Sequence, residues 1–281
     1  MNRSVLAPAK INLCLHVLGK RPDNYHDLAM LMQRVSLYDR IDISLVSRPG
    51  VRVTCEGVDL GPGEENIAAR AGRRLLSLAG ERRGVEVVID KQIPVAAGLG
   101  GGSSDAASVL LALNDMLELG LDRQALMAEG AALGADVPFF VFQHTAWATG
   151  IGDVLERVDD LPAVWYVLVN PGQAVSTAWV YRNLGLTSPP DMTKLPRFPR
   201  TLEDLGGFLH NDLERVTVVR YPLIAQLKER LLALGAAGAL MSGSGPTVFG
   251  LFGDEGVARV AAAAFAGERG WRVAVVQPVE S

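Results

Sequence analysis

The sequence predicts an α+β protein built as two lobes, and three observations carry that expectation. The chain has 281 residues, longer than the usual single domain, so two packed lobes are the default and one large domain is the alternative. Its first third is dominated by short β-type runs, whereas its last third alternates helical and strand patterns. Hydrophobic residues make up 49% and charged residues 21%, an ordinary composition for a globular chain with a real core.

In chain order, "VLAPAKINLCLHVLG", "IDISLV" and "VRVTC" are apolar or alternating runs separated by the turn signals "RPDNYH" and "RPG". "NIAARAGRRLLSLAG" opens on an asparagine cap, keeps a three-to-four apolar spacing and ends in glycine, so it is a helix. "GVEVVID" is a strand that runs into a glycine-rich loop. "SDAASVLLALNDMLEL" is a helix with Ser or Asp expected at its cap, and "DRQALMAEGAALG" is a second helix leading into "ADVPFFVF". The polar, turn-rich "GIGDVLERVDDLP" marks a seam, which puts the lobes at residues 1–156 and 157–281. Beyond it come a strand "AVWYVLVNP", a short helix near "STAWVYRNL" and a Pro-rich loop from Thr187 to Arg200. The tail runs helix "YPLIAQLKERLLALG", strands "AGALMS" and "TVFGLF", helix "GVARVAAAAFAG" and strand "WRVAVVQPV". That order suits helices covering one face of an antiparallel sheet.

The formal net charge of −4 argues against a nucleic-acid or membrane-surface binder, which would carry a basic face. Any anionic ligand must therefore be met locally. Two cysteines, Cys14 and Cys55, lack C-x-x-C spacing and suggest a reducing cytoplasm. Four histidines (His16, His26, His144 and His210) fall in no known ligand spacing, so the sequence lends no support to a histidine metal site. Leu231–Gly253 is uncharged, but its six glycines and Pro246 make it helix, turn and strand rather than a membrane span. No signal peptide is evident.

The segment "PVAAGLGGGSSDAASVLLAL" (Pro94 to Leu113) holds four glycines between Gly98 and Gly102 immediately before an apolar helix. Glycine costs about 1 kcal/mol relative to alanine in a helix. It also permits positive φ and lets a ligand approach the backbone closely. Main-chain N–H groups at a helix N-terminus bind anions, so the loop reads as a phosphate cradle; a flexible loop before a capped helix is the plain alternative. There is no G-x-x-x-x-G-K-[ST], Ser103 breaks G-x-G-x-x-G, and no G-x-S-x-G occurs. A P-loop, a dinucleotide fold and a typical hydrolase are therefore all excluded.

This pattern, P-x-x-x-G-L-G followed by Ser-Ser and Ala-Ala, resembles the ATP-binding motif of the superfamily named for galactokinase, homoserine kinase, mevalonate kinase and phosphomevalonate kinase (GHMP). "APAKINLCL" is similar to its first motif and "MSGSGPTVFGLF" to its third, so the resemblance spans almost the whole chain. Within it, "GLGGGSSDAA", "GADVPFF" and "RPDNYHDL" resemble the 4-diphosphocytidyl-2-C-methyl-D-erythritol kinase family. The resemblance implies a two-lobed GHMP fold, with an N-terminal lobe like ribosomal protein S5 domain 2 and a ferredoxin-like C-terminal lobe. It also implies ATP-dependent phosphorylation of the 2-hydroxyl of the cytidine-bearing substrate, with Mg²⁺.

By the same resemblance, Pro94, Val95, Ala96, Ala97, Gly98, Leu99, Gly100, Gly101, Gly102, Ser103 and Ser104 bind ATP. Asp136 is the base and Lys10 the cation beside it. Asn12, Tyr25, His26, Thr177 and Tyr181 contact substrate, Tyr181 standing where phenylalanine is commoner. From the residues alone, Asp136 is equally a turn or cap aspartate, Lys10 an edge-strand lysine, and Tyr181 an interface aromatic. The metal ligands stay unassigned, with Ser104 the one guess. Two other readings remain: a homoserine- or mevalonate-type kinase, and a non-catalytic ligand sensor. The expected partners are small molecules only, without nucleic acid or membrane, for a cytoplasmic monomer or weak homodimer.

Overall fold

The computed structural model describes residues 1–55, 66–80, 82–185 and 197–279. In chain order the elements are β1 (Asn2–Lys20), β2 (His26–Val46), β3 (Gly50–Cys55), α1 (Ile67–Leu78), β4 (Gly84–Asp90), α2 (Gly101–Met116), α3 (Arg123–Ala131) and α4 (Val137–Phe142). They continue as β5 (Ala146–Thr149), β6 (Val154–Arg157), β7 (Trp165–Asn170), α5 (Thr177–Arg182), α6 (Leu202–Phe208), β8 (His210–Asn211) and α7 (Glu214–Arg220). Last come α8 (Leu223–Ala233), β9 (Gly238–Met241), β10 (Val248–Phe252), α9 (Glu255–Ala263) and β11 (Arg272–Val276). Most of the Pro-rich segment expected from Thr187 onward lies outside the described residues.

Contacts group the chain into two compact units that do not follow chain order. One holds Met1–Ala9, Leu37–Val95 and Gly100–Gln143; the other holds Lys10–Ser36, Ala96–Leu99 and His144–Ser281. The glycine loop is thus divided between them, as are β1 and β2.

In the first unit, β4 pairs antiparallel with the Arg40–Val46 part of β2 and parallel with β3. Asn66 caps α1 as expected, its side chain accepting from the amides of Ala68 and Ala69. The small residues of α1 let it pack tightly: a Cβ on Gly72 would come 3.1 Å from Val51. Helix α2 is buried on most of its surface, which its Ala- and Leu-rich sequence permits. Its start differs from the expected Ser or Asp cap. The helix begins at Gly101, with Gly100 in the cap position at φ +70° and no side-chain cap bond.

Beneath that first turn lies a buried charge cluster. The Lys91 ammonium donates to Asp105 at 2.8 Å and to Asp39, and all three side chains are almost fully buried. A Cβ on Gly101 would come 2.9 Å from both Lys91 Nζ and Ile93 Cγ2, so a larger residue there would make those side chains shift. Asp39 also accepts the amides of Gln92 and Ile93, at 2.7 and 2.8 Å. Burial opposes the Lys91 charge, but Asp105 and Asp39 more than offset it and raise its pKa.

In the second unit, β7, β9, β10 and β11 form an antiparallel sheet in the order β11-β7-β10-β9. Numbered along the chain, that is 4-1-3-2, the β-α-β-β-α-β arrangement of a ferredoxin-like lobe. Helix α8 packs on β9 and β10 and α9 on β7 and β11, burying Ile224, Leu227, Leu231, Ala258 and Ala261. Elsewhere in this unit β1 pairs parallel with β8, and β2 antiparallel with β5.

Burial, reinforced by the Asp39 charge and only partly countered by Lys91, pushes the Asp105 carboxyl up to about 7 from its ordinary 3.8. The folded chain therefore keeps a proton there that the unfolded chain releases. The stability this provides is complete below about pH 4 and is lost as pH rises through about 7. Asp105→Asn should flatten the fall in stability between those limits, measured as denaturation midpoint against pH. Equal slopes for both proteins would contradict the assignment.

Candidate active site

The first motif enters the second unit at Lys10. Its amide donates to the Leu99 carbonyl at 2.9 Å, tying β1 to the glycine loop. Its side chain is 5% exposed, and its ammonium donates to Asn12 Oδ1 at 2.7 Å. A lysine so placed is costly to bury without partners, which makes the edge-strand alternative a poor account of it. Asn12, also buried, donates through Nδ2 to the Met30 sulfur at 3.5 Å. Its amide reaches Ser242 Oγ at 3.3 Å.

Ser242 belongs to "SGSGPT" and donates from Oγ to the Gly98 carbonyl at 2.9 Å. The contact is closer than any side chain would allow. A Cβ on Gly98 would lie 2.1 Å from the Ser242 carbonyl oxygen, and Gly98 has φ +77°. The third-motif segment thus packs on the glycine loop. Two flanking residues hold the motif in place. Asn211 donates to the Met241 and Gly243 carbonyls at 2.7 and 2.8 Å, and Glu214 accepts the Met241 amide at 2.9 Å. Thr177 Oγ1 lies 2.7 Å from Ser244 Oγ, so a sequence-predicted substrate residue joins the same network.

In the first unit the glycine loop leads into α2. With no side-chain cap, the main-chain amides of the first turn point out of the helix end, where the macrodipole favours an anion. Ser104 is fully buried, and its hydroxyl has no hydrogen-bond partner among the described residues. Asp136 occupies the cap position of α4, yet with φ −85° and ψ −10° it makes no cap bond. The cap alternative for this aspartate is therefore not realised. Two residues earlier, a Cβ on Gly134 would stand 4.0 Å from Ser103 Oγ, so the turn carrying Asp136 lies against the start of α2.

The aromatic residues expected at a base fall together in part. His26 and Tyr181 stack with centroids 4.9 Å apart and planes at 29°. Tyr25 is 57% exposed, in a turn closed by Arg21 N–H to the Tyr25 carbonyl at 2.8 Å. Burial, with a contribution from Lys20, holds the His26 pKa below its usual value, so the ring is neutral at pH 7.

Set beside known proteins, the chain matches the GHMP kinases N terminal domain over residues 66–144 and the GHMP kinases C terminal model over 194–269. It is 63% identical, over 98% of its length and 99% of the relative's, to a 4-diphosphocytidyl-2-C-methyl-D-erythritol kinase of Syntrophotalea carbinolica. The chain belongs to that kinase family. A relative of the same name from Citrifermentans bemidjiense is 57% identical, with 98% of each chain covered. A crystal structure of 4-(cytidine 5'-diphospho)-2C-methyl-D-erythritol kinase superposes with a TM-score of 0.81 at 38% identity, covering 98% of this chain and 99% of that one.

Against the family's expected residues, the structure joins Lys10, Asn12, Gly98, Leu99 and Thr177 in one hydrogen-bonded network, and pairs His26 with Tyr181. Ser242 and Ser244 of the third motif support that network, and Asn211 and Glu214 add supports that motif reading did not single out. Gly98→Ala would place a methyl against a main-chain oxygen and strain a positive φ, together costing about 2–5 kcal/mol. The variant should melt several degrees lower and lose nucleotide affinity. Gly267→Ala, whose Cβ would meet nothing within 4 Å, should do neither. A Gly98→Ala protein with unchanged melting and affinity would contradict the interlock.

Proposed function

We propose that this chain transfers the γ-phosphoryl group of ATP to the 2-hydroxyl of 4-diphosphocytidyl-2-C-methyl-D-erythritol, in the non-mevalonate route to isoprenoid precursors. One observation carries the reading: 63% identity, end to end, with a relative of that name. The enzyme needs only small molecules and acts in the cytoplasm as a monomer or weak homodimer.

Phosphoryl transfer is chiefly positioning and charge neutralisation, because its transition state is loose. The segment from Pro94 to Ser104 carries the nucleotide, its main-chain amides from Leu99 to Ser103 donating to the phosphate oxygens. Asp136 takes the proton of the tertiary alcohol, which is a poor nucleophile until that proton has an acceptor. Lys10 supplies positive charge to the reacting groups, and Asn12, bonded to it, orients the acceptor. Thr177 adds a hydroxyl toward substrate.

Tyr25, His26 and Tyr181 hold the cytosine, a task suited to a neutral imidazole and two phenols. Tyr25 stacks on one face of the base and Tyr181 on the other, while His26 hydrogen-bonds to it. For Mg²⁺, the buried Ser104 hydroxyl without a protein partner is the hard oxygen donor that fits. When bound, Mg²⁺ offsets charge on the phosphate oxygens.

Asp136→Asn should leave ATP affinity nearly unchanged while turnover of the cytidine-bearing substrate falls about 10²-fold or more. In the same assay, homoserine and mevalonate, which have no base to stack, should not be phosphorylated. Undiminished turnover would remove Asp136 as the base. Preferred use of either smaller alcohol would overturn the substrate.

A further inference from the structure

We propose that His16, His210 and Asp212 form a binding site for a divalent transition metal of the Zn²⁺ class, clamping β1 to β8. The site follows from strand register. β1 and β8 run parallel with Cys14 opposite His210 and Leu15 opposite Asn211. Side chains alternate along a strand, so His16 shares a face with His210 and with Asp212, which follows directly on β8. One ligand atom from each of the three lies within 4.8 Å of the others. The two imidazole rings stack 4.3 Å apart at 20°, and His210 Nε2 is 3.0 Å from Asp212 Oδ1.

Donors on a tetrahedral Zn²⁺ with bonds of about 2.0–2.1 Å lie about 3.4 Å apart. The His210–Asp212 edge is already near that spacing. The remaining closure is within reach of rotating imidazoles, since the His210 side chain is 48% exposed. The carboxylate is held by the main chain: Asp212 Oδ2 accepts the Val17 amide at 2.8 Å, and the Asp212 amide donates to the Leu15 carbonyl at 3.0 Å. That leaves Oδ1 turned to the His210 imidazole, the oriented second shell that metal ligands require. Two imidazole nitrogens and one carboxylate oxygen suit Zn²⁺, Co²⁺ or Ni²⁺ and not Mg²⁺, so this is not the metal of phosphoryl transfer. Water completes the coordination on the exposed side.

None of the three residues is among those assigned above to the kinase chemistry. Asn211, between two of them, projects to the other face of β8 and holds the Met241 and Gly243 carbonyls. A metal on one face therefore stiffens the strand whose other face positions the "SGSGPT" segment.

The test is to strip the full chain with a chelator, then titrate it with Zn²⁺ by calorimetry and with Co²⁺ by visible absorption. The proposal expects one equivalent of metal, a higher melting temperature with Zn²⁺, and four- or five-coordinate Co²⁺ bands without a thiolate charge-transfer band. His16→Gln, His210→Gln and Asp212→Asn should each weaken Zn²⁺ binding at least about 10-fold. Absence of stoichiometric binding, a thiolate band placing the metal on Cys14 or Cys55, or unchanged affinity in the two histidine variants would overturn it. The Co²⁺ spectrum of the unaltered chain decides the matter even if a variant fails to fold.

Discussion

A carbonyl oxygen of Ser242 lies where any side chain on residue 98 would have to go. This interlock holds the second unit's half of the glycine loop in a left-handed turn, and the neighbouring contacts follow from it. Ser242 Oγ donates back to Gly98, Leu99 accepts the Lys10 amide, and Asn12 reaches Ser242 with its own amide. A buried ammonium is expensive, and it is affordable here because Asn12, fixed by the same contacts, accepts from it. Removing the one glycine would misplace a cation, an amide side chain and a loop together.

The charge balance explains why a backbone is used at all. An acidic protein cannot attract a polyphosphate with its overall field, so the attraction has to be local and short-ranged. In the proposed reading it comes from the amides at the start of α2, which no side chain caps. The nearby Lys91 is already committed to Asp39 and Asp105; its charge stabilises the floor of the turn. Gly101 lets the ammonium and the Ile93 side chain pack close beneath the turn and adds no side chain at the helix end.

Much of this was legible in the sequence, where local signals are strong. The Asn66 cap, the alternating tail strands and the glycine-to-helix junction are short-range features, and the structure realises each of them. Short elements such as α6, β8 and α7 carry too few residues to display a period, and they escape sequence reading. The cap of α2 was misjudged because Ser103 and Asp105 are good capping types, whereas Gly100 in a left-handed conformation starts the helix earlier. The Lys91 cluster and the His16, His210 and Asp212 cluster were invisible for a different reason. Their members are brought together by strand pairing between distant segments, and no spacing along the chain encodes that.

The central proposal is that main-chain amides from Leu99 to Ser103 donate to the phosphates of a nucleotide. A crystal structure with a non-hydrolysable ATP analogue tests it most directly. The account predicts the β- and γ-phosphate oxygens within hydrogen-bond distance of those amides, at the N-terminal end of α2. A triphosphate bound at another surface, with the amides from Leu99 to Ser103 facing solvent, would contradict it.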